Sequence, residues 1–155
     1  MPRRTQTTTP SDHTDRKIVA LLQEDAKRTL TEIGDEVALS AAAVKRRIDR
    51  LERDGVIRGY TAVVDAAGLG LIDVLVEVYC ADRTSPRDVG RSLEQLDEVV
   101  TAFTVSGEPD ALVRLQVDGI PHLERAIEQM RRDRNIVRTR TMIVLSTIID
   151  RPAPR

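Results

Sequence analysis

Five cations stand within nine residues of the chain: Lys45, Arg46, Arg47, Arg50 and Arg53. Ammonium and guanidinium groups hold phosphate, and a guanidinium can also pair with a guanine edge through two parallel hydrogen bonds. The same cluster would equally suit the solvated face of an ordinary helix. A second group, Ser106-Gly107-Glu108-Pro109-Asp110-Ala111, has the makings of a small-molecule site. Free backbone N–H groups at a glycine-containing turn suit a carboxylate, and Asp110 suits an ammonium. The plainer reading is a tight hairpin turn in which Asp110 bonds its own backbone.

The elements around each group sharpen these choices. Val44, Ile48 and Leu51 recur at i, i+4 and i+7, an apolar helical stripe, and Ser40 is a good N-cap for it. Gly55 suits the position just past its end. Ala42, Ala43, Lys45, Arg46, Arg47, Asp49 and Arg50 then face the other way. Two helices are expected before it. One starts near Thr14 as N-cap, with Asp15 in its first turn and Ile18, Leu21 and Leu22 as its stripe. The other starts near Thr31, with Ile33 and Val37 one turn apart. Three short helices with a tight turn before a basic outward face form the helix-turn-helix pattern. Gly34, inside the second helix, is expected to permit close packing against the third. Residues 56–64 read as either a short strand or an extended linker, and 65–70 (DAAGLG) as a hinge.

From Leu71 the period changes to two. A strand over 74–80, a helix opened by Ser85-Pro86 with Val89, Leu93 and Leu96 inward, and a strand over 99–106 follow in turn. After the turn come a strand over 111–118, a helix over 121–132 with Leu123, Ile127 and Met130 inward, and a long strand over 137–149. The order βαββαβ implies a ferredoxin-like domain: a four-stranded antiparallel sheet with both helices on one face. Its bare face should remain substantially apolar in either register of the last strand, with Thr139, Thr141, Ile143, Leu145 and Thr147 or with Met142, Val144 and Ile148. A second copy packing sheet on sheet is the expected cover. The expected organisation is a disordered tail over 1–13, a helix-turn-helix domain over 14–60, a linker over 61–70, the α+β domain over 71–150 and a tail over 151–155.

Composition excludes several classes. The net charge of −1 conceals 12 Lys/Arg against 10 Asp/Glu in residues 1–60, and 12 against 15 afterwards, a mild split. No run of apolar residues is long enough for a membrane span, and the polar start lacks the apolar stretch of a secretory signal. Cys80 is the only cysteine, so an intrachain disulfide is impossible and a reducing cytoplasm fits. His13 and His122, the only histidines, fall far apart and read as surface residues. No nucleophile–base pair, metal-ligand cluster or phosphate loop is present, so neither an enzyme nor a cofactor or metal site is expected.

Three segments together resemble one family. Residues 39–65 (LSAAAVKRRIDRLERDGVIRGYTAVVD), 105–117 (VSGEPDALVRLQV) and 137–145 (VRTRTMIVL) are similar, in order and spacing, to the Lrp/AsnC or feast/famine family of prokaryotic regulators. The resemblance implies a winged or three-helix helix-turn-helix domain followed by a ferredoxin-like effector and dimerisation domain. It implies a transcription regulator acting on double-stranded DNA in the cytoplasm, associated with the nucleoid. It also implies a homodimer that assembles to a tetramer or octamer, and an amino-acid effector bound between dimers. Genes of amino-acid metabolism or transport are the implied targets; an architectural DNA-binding protein that senses nothing is the alternative. The implied DNA-binding residues are Ser40, Ala42, Ala43, Lys45, Arg46, Arg47 and Arg50. The implied effector residues are Ser106, Gly107, Glu108, Pro109, Asp110 and Ala111, with Thr139 and Thr141. Arg46 and Arg50 lead the first set as base or phosphate contacts, against partnership of an acid such as Asp49 or Glu52. Arg47 is open between phosphate binding and an ion pair inside the domain. Alanines at 41–43 cannot hydrogen-bond to bases, so DNA shape and bending are expected to carry much of the specificity. The sequence departs from the family with Ala38 at the helix-helix turn, Pro109 before the turn aspartate and Ala111 after it.

Overall fold

The computed structural model describes residues 12–150. The expected tail segments 1–11 and 151–155 lie outside the described residues. The chain divides into two compact units between Ala62 and Val63.

The first unit contains α1 (His13–Glu24), α2 (Leu30–Val37) and α3 (Ala41–Arg53). Ile18, Leu21, Ile33, Val44 and Ile48 interlock as its core, flanked by Leu22, Leu30, Val37, Leu39 and Ile57. Helix α1 begins earlier than Thr14, so residues 12 and 13 are not tail. The Asp12 carboxylate accepts from the Asp15 N–H at 2.8 Å, and the Asp15 carboxylate accepts from the Asp12 N–H at 3.3 Å. This reciprocal cap satisfies two orphan N–H groups, more than Thr14 could. Helix α2, expected to start near Thr31, starts at Leu30 and is capped in the same way by Thr29 and Glu32.

The turn between α2 and α3 is three residues long, and Ala38 takes a left-handed conformation, φ 54°. That conformation costs a non-glycine residue about 1 kcal/mol. The turn folds back so tightly that a Cβ on Gly34 would lie 2.4 Å from the Leu39 carbonyl oxygen. Gly34 therefore serves close approach, chiefly of the turn itself rather than of the third helix. Ser40 caps α3 as expected, its Oγ accepting from the Ala43 N–H at 3.3 Å. Gly55, at φ 71°, ends α3, and both Val56 and Ile57 donate back to the Leu51 carbonyl. Residues 56–65 carry no strand, so the linker reading holds there and the described part of this unit is helical only.

The second unit contains β1 (Ile72–Cys80), α4 (Pro86–Leu93), β2 (Val99–Thr104), β3 (Ala111–Val117), α5 (Ile120–Arg131) and β4 (Ile136–Ile143). The sheet order is β2-β3-β1-β4 with every pairing antiparallel, the ferredoxin-like arrangement. Val74, Val76 and Val78 of β1 and Val113, Leu115 and Val117 of β3 pack against Val89 and Leu93 of α4 and Leu123, Ile127 and Met130 of α5. Both helices thus cover one face. Each of those valines contributes roughly 1.5–3 kcal/mol by leaving water.

Strand β4 stops at Ile143, not at Ile149. The Val144 N–H still donates to the Asp73 carbonyl at 2.9 Å, but β1 starts at Ile72, so nothing remains to pair with. Leu145 and Ile148 are almost fully exposed. Register also decides the bare face. Thr139, Thr141 and Ile143 pair with Val78, Val76 and Val74, which point at the helices. The bare face therefore carries Arg138, Arg140 and Met142, beside Asp73, Leu75, Glu77 and Tyr79 of β1. Leu112 and Arg114 of β3 and Thr101 and Phe103 of β2 complete it. The expected apolar face is instead a mosaic. Leu75, Leu112, Met142 and the 57% exposed Phe103 alternate with the Arg114–Asp73 and Arg140–Glu77 ion pairs.

His122 is not a free surface residue either. Its Nε2 lies 2.8 Å from Glu98 Oε1 and its Nδ1 2.8 Å from Asp118 Oδ1. Only an imidazolium donates from both nitrogens. Glu98, and then Asp118, hold its pKa above the ordinary value. A folded pKa above the unfolded one stabilises fully below the unfolded value of about 6.5, and that stabilisation is lost as pH rises through the folded pKa. The melting temperature should therefore fall between pH 6 and 9 in the native protein more steeply than in His122→Gln. Parallel curves for the two proteins would contradict this role.

Candidate functional site

Helix α3 carries its cations in two distinct states. Lys45 Nζ binds both oxygens of Asp49, at 2.9 and 3.1 Å, one turn along the exposed surface. Arg47 Nη1 lies 2.8 Å from Asp12 Oδ2 and 2.8 Å from Asp15 Oδ1. Arg50 Nη2 lies 2.5 Å from Asp15 Oδ2. These contacts raise the pKa of Arg47 and hold the carboxyl of Asp12, chiefly through Arg47, below its usual range. Arg46 and Arg53 are exposed and have no carboxylate partner among the described residues. Arg46, Arg47 and Arg50 line a shallow open groove with Leu39 and Ala43. Ser40 and Ala42 are exposed at the start of the same helix.

The expected DNA-binding residues are thus gathered on one helix but are not equivalent. Arg47 takes the intradomain ion pair that the sequence left open. Arg50 is paired as well, with Asp15 rather than with Asp49 or Glu52. Its side chain stays 41% exposed and keeps unengaged N–H groups for a further partner. Sequence reasoning missed Asp12 and Asp15 as partners of this helix. They lie more than thirty residues away, and their local pattern announces only a helix cap.

The hairpin turn is not the self-bonded turn of the plainer reading. The Asp110 N–H donates to the Val78 carbonyl at 3.0 Å, and Asp110 Oδ2 accepts from the Cys80 N–H at 2.7 Å. Cys80 sits where the β1–β4 register shifts, so the aspartate anchors the turn to the end of β1, opposite the extra residue Val137 of β4, and not to its own backbone. Asp110 Oδ1 has no partner among the described residues. Ser106, Gly107 and Glu108 are exposed, Pro109 is half-buried and Ala111 is buried. Glu108 lies 3.6 Å from Arg138, whose guanidinium stacks 3.8 Å above the Tyr79 ring, and Tyr79 donates to Glu77 at 3.0 Å. Thr139 faces the helices, and its Oγ1 accepts from Arg131 Nε at 2.8 Å. Thr141 lies exposed one register position further along that face, two strands across from the turn.

Three helices ending on an outward basic helix, followed by a separate antiparallel α+β unit, define a helix-turn-helix DNA-binding protein with an appended regulatory domain. Residues 11–58 match the winged helix-turn-helix DNA-binding family model, and residues 73–154 match the Lrp/AsnC ligand binding domain. The chain belongs to the Lrp/AsnC family: it is a DNA-binding transcription regulator and not an enzyme. It is 42% identical over 144 residues to the HTH-type transcriptional regulator Rv2324 of Mycobacterium tuberculosis, covering 92% of this chain and 97% of that one. The crystal structure of the leucine response regulatory protein LrpA of M. tuberculosis aligns with a TM-score of 0.82 at 31% identity, over 94% of this chain and 99% of that one. The L-Met complex of the transcriptional regulator NMB0573 from Neisseria meningitidis aligns with a TM-score of 0.81 at 26% identity, over 93% and 96%. No helix among the described residues is long and apolar enough to cross a membrane.

Proposed function

We propose that this regulator senses an amino acid bound at the 106–111 turn between dimers, and controls genes of amino-acid metabolism or transport from the nucleoid in the cytoplasm. The observation that carries the reading is the divided role of Asp110. One carboxylate oxygen holds the turn to the Cys80 N–H, and the other is left free to receive an ammonium. Gly107 supports it. Its φ lies outside the left-handed region and a Cβ there would meet nothing within 4 Å, so the turn itself does not need glycine. A glycine there keeps the backbone N–H open to a ligand carboxylate. The NMB0573 complex holds L-Met on the same fold. Ser106, Gly107 and Glu108 are exposed, which leaves room for a second copy to supply the opposite wall. The mosaic bare sheet face is the proposed dimer contact, with tetramers or octamers built from such dimers.

A thermal-shift screen of the twenty amino acids tests this. A specific ligand at about 100 times its Kd stabilises by about 2.7 kcal/mol. That should move the midpoint of the second unit by several degrees. Gly107→Val should fold normally, since the space is empty, and abolish the shift. No shift with any amino acid would favour a purely architectural DNA-binding protein. A shift retained in Gly107→Val would move the effector elsewhere.

A further inference from the structure

We propose that Asp15, on α1, is a positioning residue for the DNA-reading helix: it orients Arg47 and Arg50 and so raises discrimination between DNA sites rather than attraction to DNA. The proposal rests on α3 being that helix. Asp15 is only 2% exposed, and its carboxylate is fully used. Oδ1 takes Arg47, while Oδ2 takes Arg50 and the Asp12 N–H. A structural cap needs only the last of these. The other two tie the base of α1 to two successive turns of α3.

The geometry suits presentation rather than storage. A guanidinium is a planar fork with five N–H donors, and Arg47 and Arg50 each commit one terminal nitrogen to Asp15. The remaining donors keep a fixed direction. Each long side chain has then already lost the rotamer freedom that binding would otherwise remove. Arg46 has no such tether among the described residues, so it supplies charge without a fixed aim. Asp15 has a second effect of the same sign. It cancels positive charge beside the groove and thereby weakens the counterion-driven, sequence-independent part of binding. Fixed forks favour the matched site, and reduced charge disfavours all the others.

The test is Asp15→Asn in the full chain, since asparagine keeps an acceptor for the Asp12 N–H. Affinity is measured for a site selected by the native protein from random sequence, and for an unrelated duplex at the same salt. The ratio of specific to non-specific affinity should fall on the order of tenfold, with non-specific binding equal or tighter. The loss should shrink when Arg50→Ala is the background, because only Arg47 is then left for Asp15 to orient. An unchanged ratio, or the same loss in the Arg50→Ala background, overturns the proposal. If Arg46→Ala and Arg50→Ala leave all DNA binding intact, it is the assignment of α3 that fails instead. Should Asp15→Asn not fold, the guanidinium nitrogen signals of the native protein decide. Restricted rotation of Arg47 and Arg50 already in the free state supports positioning, and free rotation in the absence of DNA refutes it.

Discussion

Gly34→Ala should unfold or loosen the DNA-binding unit, although alanine is the better helix former. Exchanging glycine for alanine inside a helix gains up to about 1 kcal/mol. Here the added methyl would stand 2.4 Å from the Leu39 carbonyl oxygen, a backbone atom that cannot swing aside. Overpacking of that kind costs about 3 kcal/mol, so the clash wins by about 2 kcal/mol. For a unit of this size that is a drop in melting temperature of roughly 10 °C. The turn that must yield carries Ala38, Leu39 and the Ser40 cap, so DNA affinity should fall with stability. Gly90→Ala is the internal control. Gly90 lies in α4, where a Cβ would meet nothing within 4 Å, and there the same exchange should stabilise by up to about 1 kcal/mol. Circular dichroism melts of the two variants should move in opposite directions. A Gly34→Ala protein as stable as the native one would contradict the close approach.

Arg46→Ala should weaken specific DNA binding by about tenfold to a hundredfold and leave the melting temperature unchanged. Arg46 is exposed, lines the groove of α3 and has no protein partner among the described residues, so only DNA loses a contact. The slope of log affinity against log salt should shrink by about one if the contact is to phosphate. A loss confined to one base position, with the slope kept, would mark a guanine contact. Arg47→Ala should behave in the opposite way. It leaves a 2% exposed carboxylate without one of its two cations, so thermal stability falls several degrees before DNA affinity is considered. Melting curves and titrations of both variants would separate the two roles. Equal destabilisation by both would show that the α1 carboxylates do not distinguish them.

Much of this molecule could be read from local patterns. Ser40, the Val44–Ile48–Leu51 stripe and Gly55 mark the start, buried face and end of α3 within sixteen residues, because caps and helical periodicity are short-range properties. The alternation Val74-Val76-Val78 and the Ser85-Pro86 helix start are equally local, and their order leaves few topologies to consider. The start of α1 was misplaced for a local reason too. Asp12 and Thr14 are both acceptable caps, and only the reciprocal bond with Asp15 chooses Asp12.

What sequence could not supply depends on residues distant along the chain. Which face of β4 meets the helices follows from its pairing with β1, a register that puts Arg138 and Arg140 on the bare face; the shift at Tyr79 and Cys80 then buries Ile136 instead of Val137. The end of β4 followed from where β1 starts, since an unpaired strand has no ladder to hold it. Asp110 found the Cys80 N–H thirty residues away. The cationic cluster at 45–53 shows the same division. Its presence, its helix and its outward face were determined by the amino-acid sequence, because charge and periodicity are local. Only the tertiary structure decided which of those cations is held and which is free. That depends on where α1 brings the carboxylates of Asp12 and Asp15, a matter of packing between helices more than thirty residues apart.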